Sequence, residues 1–231
     1  MIRRIINRIK QIYYRSSNER FISFLRTKGV EIGEGTMMRP KSTNIDLTRP
    51  SLISIGKNCY MNENFTLLTH DWVTRVFIRC GLDFLPSSGR VTIGNNVSFG
   101  QNVIVLKGVA IGDNSFIGAG SIVTKDIPSN SVAVGIPCKV VATIEDYYKK
   151  RLSLYEAEAL DYARSIKERF GRMPVPADFY EEFPLFVGGY EVEEYPEIPI
   201  QRQLGPIYDS YVRNHKAKYN SFDEFIKNAF Q

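Results

Sequence analysis

The sequence predicts a mainly β protein in which short strands stack as a parallel coil, entered from an N-terminal helix and left through a helical and extended appendage. Three observations carry this. A six-residue period runs in full from Ile93; a basic stretch with apolar residues at helical spacing precedes it; past Ile144 the period gives way to helical spacing and then to a run rich in proline and tyrosine. With 231 residues, 43% of them hydrophobic, the chain is long enough to bury a core.

The first segment, residues 1–29, holds Arg3, Arg4, Arg8, Lys10, Arg15, Arg20, Arg26 and Lys28 against one acid, Glu19. Ile2, Ile5, Ile6, Ile9, Ile12 and Tyr13 recur at helical spacing, the pattern of a basic amphipathic helix. Such a helix packs its apolar face on a neighbouring subunit or the main domain, the favoured reading, or lies on anionic lipid as a peripheral membrane contact. The stretch has no nucleic-acid reading motif, so nucleic acid is not an expected partner. No apolar run approaches the roughly 18 residues of a membrane span, and the charged start lacks a signal-peptide core. The expected location is the cytoplasm, with the inner face of the membrane as its variant. Cys59, Cys80 and Cys138 are an odd, scattered set that suggests neither a disulfide framework nor a zinc knuckle.

The second segment, residues 30–144, carries the period. From Ile93 it divides as "IGNNVS FGQNVI VLKGVA IGDNSF IGAGSI VTKDIP", each block opening on an apolar residue: Ile93, Phe99, Val105, Ile111, Ile117 and Val123. Small or β-branched residues hold the fifth place. The phase appears upstream in "IGKNCY MNENFT LLTHDW" and less clearly in "IGEGTM". A period of six fits neither a helix nor a plain amphipathic strand, but suits flat strands joined by tight corners. One aliphatic per block points to the axis, and glycine or asparagine turns the corners. The phase fails after Leu67 and returns near Val91, which predicts an extruded loop over about 70–90, a natural place for function.

Residues 91–141, "VTIGNNVSFGQNVIVLKGVAIGDNSFIGAGSIVTKDIPSNSVAVGIPCKVV", resemble the hexapeptide-repeat acyltransferases, above all the galactoside, maltose and nodulation-factor acetyltransferase branch and its polysaccharide O-acetyltransferase relatives. The resemblance covers roughly residues 30–142. It implies a left-handed parallel β-helix, a homotrimer with active sites between subunits, and acetyl-CoA as acyl donor. It also implies the site. "LLTHD" occupies the place of the family's catalytic histidine, so His70, one of two histidines in the chain, is expected as general base. Backbone N–H groups near Gly100 and Gln101 would hold the thioester carbonyl, and Gly118, Ala119 and Gly120 of "IGAGS" would lie against the pantetheine arm. Lys125 and Lys139 would lie near the nucleotide phosphates. Two departures stand out: Ser98 where relatives usually show tryptophan, and Gln101 where they show a small residue.

For the acceptor, a sugar or glycan, the candidates are Asp71, Trp72 and Asn44, with Ser42 as an alternative to Asn44. Neighbours in a strand point to opposite sides, so Asp71 cannot easily grip the His70 ring; it binds the sugar, orients the loop or caps it. Trp72 offers a face for a pyranose ring or anchors the loop. No metal is expected, because His215 lies in the tail and a three-histidine zinc site cannot be built from the coils. No phosphate-cradling "GxxxxGK" and no Gly-x-Ser-x-Gly elbow occurs. The expected activity is O-acetylation of a sugar hydroxyl in surface polysaccharide synthesis. Its rivals are N-acetylation of an amino sugar and a non-catalytic β-helix scaffold.

The third segment, residues 145–231, opens on a helix that ends before Gly171. The proline- and tyrosine-rich stretch after it reads as an extended arm laid over other structure. Ser221, with Glu224 three residues on, predicts a capped last helix.

Overall fold

A computed structural model describes residues 2–231, with side chains from Arg8 onward. The apolar positions expected at Ile2, Ile5 and Ile6, and the cations Arg3 and Arg4, therefore lie outside the described side chains. The chain forms two compact units, residues 1–147 and 148–231.

The first unit is a left-handed parallel β-helix with three faces. One face stacks Glu31–Ile32, Ile53–Ile55, Val91–Ile93 and Ala110–Ile111. The second stacks Met37–Met38, Tyr60–Met61, Ser98–Phe99, Phe116–Ile117 and Ser131–Val134, the last paired antiparallel with Lys139–Thr143. The third stacks Asn44–Ile45, Thr66–Leu67, Ile104–Val105 and Ile122–Val123. Three six-residue blocks make one coil, so Ile93 pairs with Ile111, Phe99 with Ile117 and Val105 with Val123.

The packing differs from one inward residue per block. The first place and the fifth are both buried: Ile93, Phe99 and Val105 alternate along the axis with Val97, Val103 and Val109. Fifth-place serines are tolerated there because their hydroxyls find carbonyls, as Ser121 Oγ does at 2.7 Å from the Gly118 oxygen. The corners use asparagine in the left-handed region, Asn96, Asn102 and Asn114 among them. Their side-chain amides bond from coil to coil, Asn96 to Asn114 and Asn114 to Asn130, each at 3.0 Å. Coils approach so closely that a Cβ on Gly56 would lie 2.3 Å from the Gly94 carbonyl oxygen.

Helix α1 spans Ile2–Tyr14 and α2 Asn18–Thr27. Ser17 caps α2, which buries Phe21, Ile22 and Leu25 in the same core as the strands. Asn18 fixes it by accepting the Met38 N–H at 2.8 Å. On α1, Ile9, Ile12 and Tyr13 are exposed.

In the second unit the tail is not a single extended arm. Four 3₁₀ turns (Pro176–Asp178, Phe183–Leu185, Gly189–Glu194, Gly205–Ile207) and short helices fold it around a core of its own, in which Phe179, Phe183, Phe186 and Phe225 pack with Ala159, Ala163 and Ile166. The last helix, Phe222–Ala229, starts at Ser221 as expected, but Glu224 reaches back to the Asn220 N–H rather than that of Ser221.

Phe65 and Phe99 are fully buried with ring centroids 4.8 Å apart. Phe65→Ala should destabilise the first unit by about 3–5 kcal/mol, measured by urea unfolding; a loss below about 1 kcal/mol would mean that the axis is not close-packed there.

Candidate active site

The strand Thr66–Leu67 is the last regular part of its coil before the period fails. The chain then turns out as a hairpin: His70 pairs with Ser88 and Asp71 with Ser87, and between these strands lies helix α3, Thr74–Arg79. Below the pair, the Gly89 N–H donates to the Thr69 carbonyl at 3.0 Å. Gly89 passes hard against the next coil, where a Cβ would meet the Gly108 nitrogen at 2.6 Å. The extruded segment is thus pinched at a structured neck, and His70 sits in that neck.

A second acid completes the arrangement. Asn44–Ile45 pairs with Thr66–Leu67, which brings Asp46, next in sequence, beside Thr69 and His70. Its Oδ2 accepts the Thr69 N–H at 3.0 Å, the Thr69 hydroxyl at 2.6 Å and His70 Nδ1 at 2.5 Å. Its Oδ1 accepts the Thr48 N–H at 3.0 Å and the Thr48 hydroxyl. The side chain of Asp46 is 7% exposed and that of His70 14%. Burial alone would raise the Asp46 pKa, but the hydrogen bonds from Thr48, Thr69 and His70 outweigh it and hold the carboxyl far below the usual range. An ionised carboxylate only accepts, so the hydrogen between the two groups belongs to Nδ1, and in the neutral ring the lone pair is then on Nε2. Nε2 makes no hydrogen bond among the described residues.

His70 lines a cavity of about 360 Å³ with Thr48, Arg49, Trp72, Phe84 and Ser87. Trp72 is 61% exposed, its ring edge-on to His70 at 5.8 Å between centroids. The cavity is therefore lined by an imidazole together with the aromatic side chains of Trp72 and Phe84.

Of the three acceptor candidates, Trp72 and Asp71 line this cavity and Asn44 does not. The polar residue that the first coil supplies is Asp46, two places on; Ser42 instead donates to Glu63. Asp71 is committed: its Oδ2 lies 2.9 Å from Lys107 Nζ and its Oδ1 accepts the Val73 N–H at 3.1 Å. The hydrogen bond from Lys107 holds its carboxyl below the ordinary value. Asp71 thus ties the hairpin to Lys107 of the coil. The sequence reading missed Asp46, Thr48 and Lys107. Coil register was the signal available for Asp46, once Ile45 is set opposite Leu67.

The cofactor candidates do not share one corner of the coil: Gly100, Gln101, Gly118, Ala119 and Gly120 follow second-face strands, whereas Lys125 follows the third-face strand Ile122–Val123, one coil from Lys107. Gly100 stacks on Ala119, where a Cβ on Gly100 would lie 2.5 Å from the Ala119 nitrogen, and the Gly120 N–H donates to the Gln101 carbonyl at 2.8 Å. One correction follows. The Gly100 N–H is spent in the ladder on the Ile117 carbonyl at 2.8 Å and is not available to a thioester; the Gly118 N–H is likewise spent, on the Ala133 carbonyl at 2.9 Å. The Gln101 N–H has no partner among the described residues. Ala119, Gly120, Lys125 and Lys139 are exposed, and neither lysine forms an ion pair among the described residues. None of these residues lines the His70 cavity.

Among the described residues no three His, Cys, Asp or Glu cluster to hold a metal. Cys59 and Cys138 are buried, which pushes their thiols up. His215 is structural, stacked on Tyr211 at 4.1 Å with Nε2 2.8 Å from the Pro184 carbonyl.

Residues 90–125 match the family of bacterial transferases with six hexapeptide repeats. Galactoside O-acetyltransferase of Escherichia coli strain K12 is 38% identical over 157 residues, 58% of this chain and 76% of that protein. The chain belongs to the hexapeptide-repeat acyltransferases. It is an acetyl-CoA-dependent acetyltransferase. A Staphylococcus aureus strain MRSA252 protein named as an acetyltransferase is 44% identical over 112 residues, and this acyltransferase spans only 56% of its length. Among solved structures, a galactoside acetyltransferase in complex with coenzyme A is 29% identical, covering 63% of this chain and 82% of that one with a TM-score of 0.40. A maltose O-acetyltransferase from Clostridium difficile 630 is 27% identical, covering 59% and 83%, with a TM-score of 0.42. Membership rests on the sequence relationship to the galactoside enzyme.

Because the folded Asp46 titrates below its free value of about 3.9, its charged form stabilises the fold above that pH, and the stabilisation is lost as pH falls through the folded value. The stability gap between wild type and Asp46→Asn should therefore narrow from about pH 5 to about pH 2 in urea titrations. A gap independent of pH would contradict the assigned charge.

Proposed function

We propose that this acetyltransferase acetylates a sugar hydroxyl, with His70 as general base and Asp46 fixing its tautomer. The observation that carries the reading is the Asp46–His70 hydrogen bond at 2.5 Å, which puts the hydrogen on Nδ1 and leaves Nε2 basic in a cavity rimmed by Trp72 and Phe84. The flat apolar rim suits a pyranose face. The relationship to a galactoside O-acetyltransferase supports a hydroxyl of a galactose-like sugar as acceptor.

In this reading Nε2 takes the proton of the acceptor hydroxyl as its oxygen attacks the thioester carbonyl. The new C–O bond forms, the C–S bond breaks, and the proton passes from the imidazolium to the departing thiolate. Asp46 holds the ring in place and stabilises the imidazolium without taking the proton itself. The backbone donor for the developing oxyanion would be Gln101, whose N–H the coil does not use. Ala119 and Gly120, exposed and small, would receive the pantetheine arm, and Lys125 and Lys139 the phosphates. Gln101, Ala119 and Gly120 follow second-face strands, on another corner from His70, which is consistent with sites completed between subunits of a homotrimer. A role in surface polysaccharide synthesis on the cytoplasmic side of the membrane goes with this reading.

His70→Ala should lower thiol release from acetyl-CoA at least about 100-fold across a panel of galactosides, amino sugars and bacterial glycans, with acetyl-CoA affinity unchanged by calorimetry. Release at the wild-type rate would make His70 a structural residue of the loop. Turnover of amino sugars in the variant, with hydroxyl acceptors lost, would assign the acceptor as an amine.

A further inference from the structure

The neck that presents His70 is held from two sides, and only the Asp46 side is explained by the chemistry above. The other is held by Lys107. It follows the third-face strand Ile104–Val105 and belongs to the rigid coil, not to the hairpin. Its Nζ lies 2.9 Å from Asp71 Oδ2 and also donates to Ser87 Oγ. Asp71 and Ser87 are directly opposed across the hairpin, and the next opposed pair is His70 and Ser88. One ammonium therefore ties both strands of the hairpin to the coil, one residue from the imidazole.

The two restraints act on different groups: Asp46 holds the His70 ring, while Lys107 holds the hairpin backbone beside it through Asp71 and Ser87. We propose that Lys107 is a positioning residue for acetyl transfer: through Asp71 and Ser87 it fixes the hairpin neck so that His70 Nε2 faces the acceptor oxygen. The inference rests on the reading of His70 as base.

A folding role accounts for this arrangement poorly. The side chains of Lys107 and Asp71 are 30% and 43% exposed, and half-exposed ion pairs add little to stability. Position matters far more, since a misplacement of about 1 Å at a reacting group costs up to about 100-fold in rate. The repeat does not require a lysine either. Lys107 occupies the third place of its block "VLKGVA", where the neighbouring blocks carry Gln101 and Asp113.

The test compares wild type, Lys107→Met, Lys107→Arg, Asp71→Asn and the double variant Lys107→Met/Asp71→Asn, with His70→Ala alongside. The readout is thiol release from acetyl-CoA, with water as acceptor and with p-nitrophenyl galactoside as probe sugar. Lys107→Met should lower kcat about 10-fold while acetyl-CoA affinity and thermal melting stay at wild-type values. Lys107→Arg should restore most of the rate, and the double variant should be no slower than Lys107→Met. A Lys107→Met kcat within about twofold of wild type, or losses that multiply in the double variant, would overturn the proposal. So would a rate loss matched by a drop in melting temperature. The outcomes separate from the underlying reading: an inactive His70→Ala beside a fully active Lys107→Met sinks the clamp alone, whereas a fully active His70→Ala sinks the base.

Discussion

The site depends on the register of the coil. Parallel strands that stack residue over residue leave no freedom in where a corner lands, because each strand N–H that joins the ladder has one carbonyl on the adjacent coil to meet. The Asp46 N–H donates to the Leu67 carbonyl at 2.9 Å, and that single backbone bond delivers a carboxylate from the first coil to a histidine twenty-four residues later. Close packing makes the register stiff. Buried residues at two places in each of the six blocks from Ile93 fill the axis, and glycines such as Gly56 let successive corners approach to distances at which any side chain would collide.

On that frame the extruded segment is a built element. Its neck is closed by the Gly89–Thr69 backbone bond, the His70–Ser88 and Asp71–Ser87 pairs and the Lys107 ammonium. Next to the neck it exposes the apolar side chains of Trp72, Phe84 and Leu85. Rigidity at the neck and apolar surface beside it suit the two tasks the proposal gives them, holding a base and meeting a sugar or a neighbouring subunit. The chemistry needs a neutral, oriented imidazole, and the buried carboxylate supplies the orientation because five donors keep it ionised.

How much of this was legible in the sequence follows from what each feature depends on. The coil was visible because its rule is local and repeated: Ile93, Phe99 and Val105 announce their faces by spacing alone. His70 was visible because the repeat breaks beside it. The depth of packing was less visible, since Val97 and Val103 lie at a second inward place that a one-residue-per-block reading leaves out. Asp46 and Lys107 were hidden for another reason. Each acts across coils, and the 3₁₀ turn Pro50–Leu52 inserts residues that put the first coil out of phase, so the polar partner fell on Asn44. The Gly100 N–H was assigned to a thioester because sequence shows which residues line a corner but not which of their amides the ladder has already used. The tail misled in the opposite sense: its aromatics looked like surface waiting for cover, and they cover one another.

The central claim is that Asp46 places the imidazole hydrogen of His70 on Nδ1 and leaves Nε2 as the base. Nitrogen-15 NMR of the imidazole rings tests it most directly, since the chain has only two histidines and His70→Ala identifies the signal by its loss. In mildly alkaline buffer the account predicts a protonated Nδ1 and a bare Nε2 for His70 in the wild type, with that preference lost in Asp46→Asn. A wild-type spectrum with the hydrogen on Nε2 would contradict it, because no base would then face the acceptor.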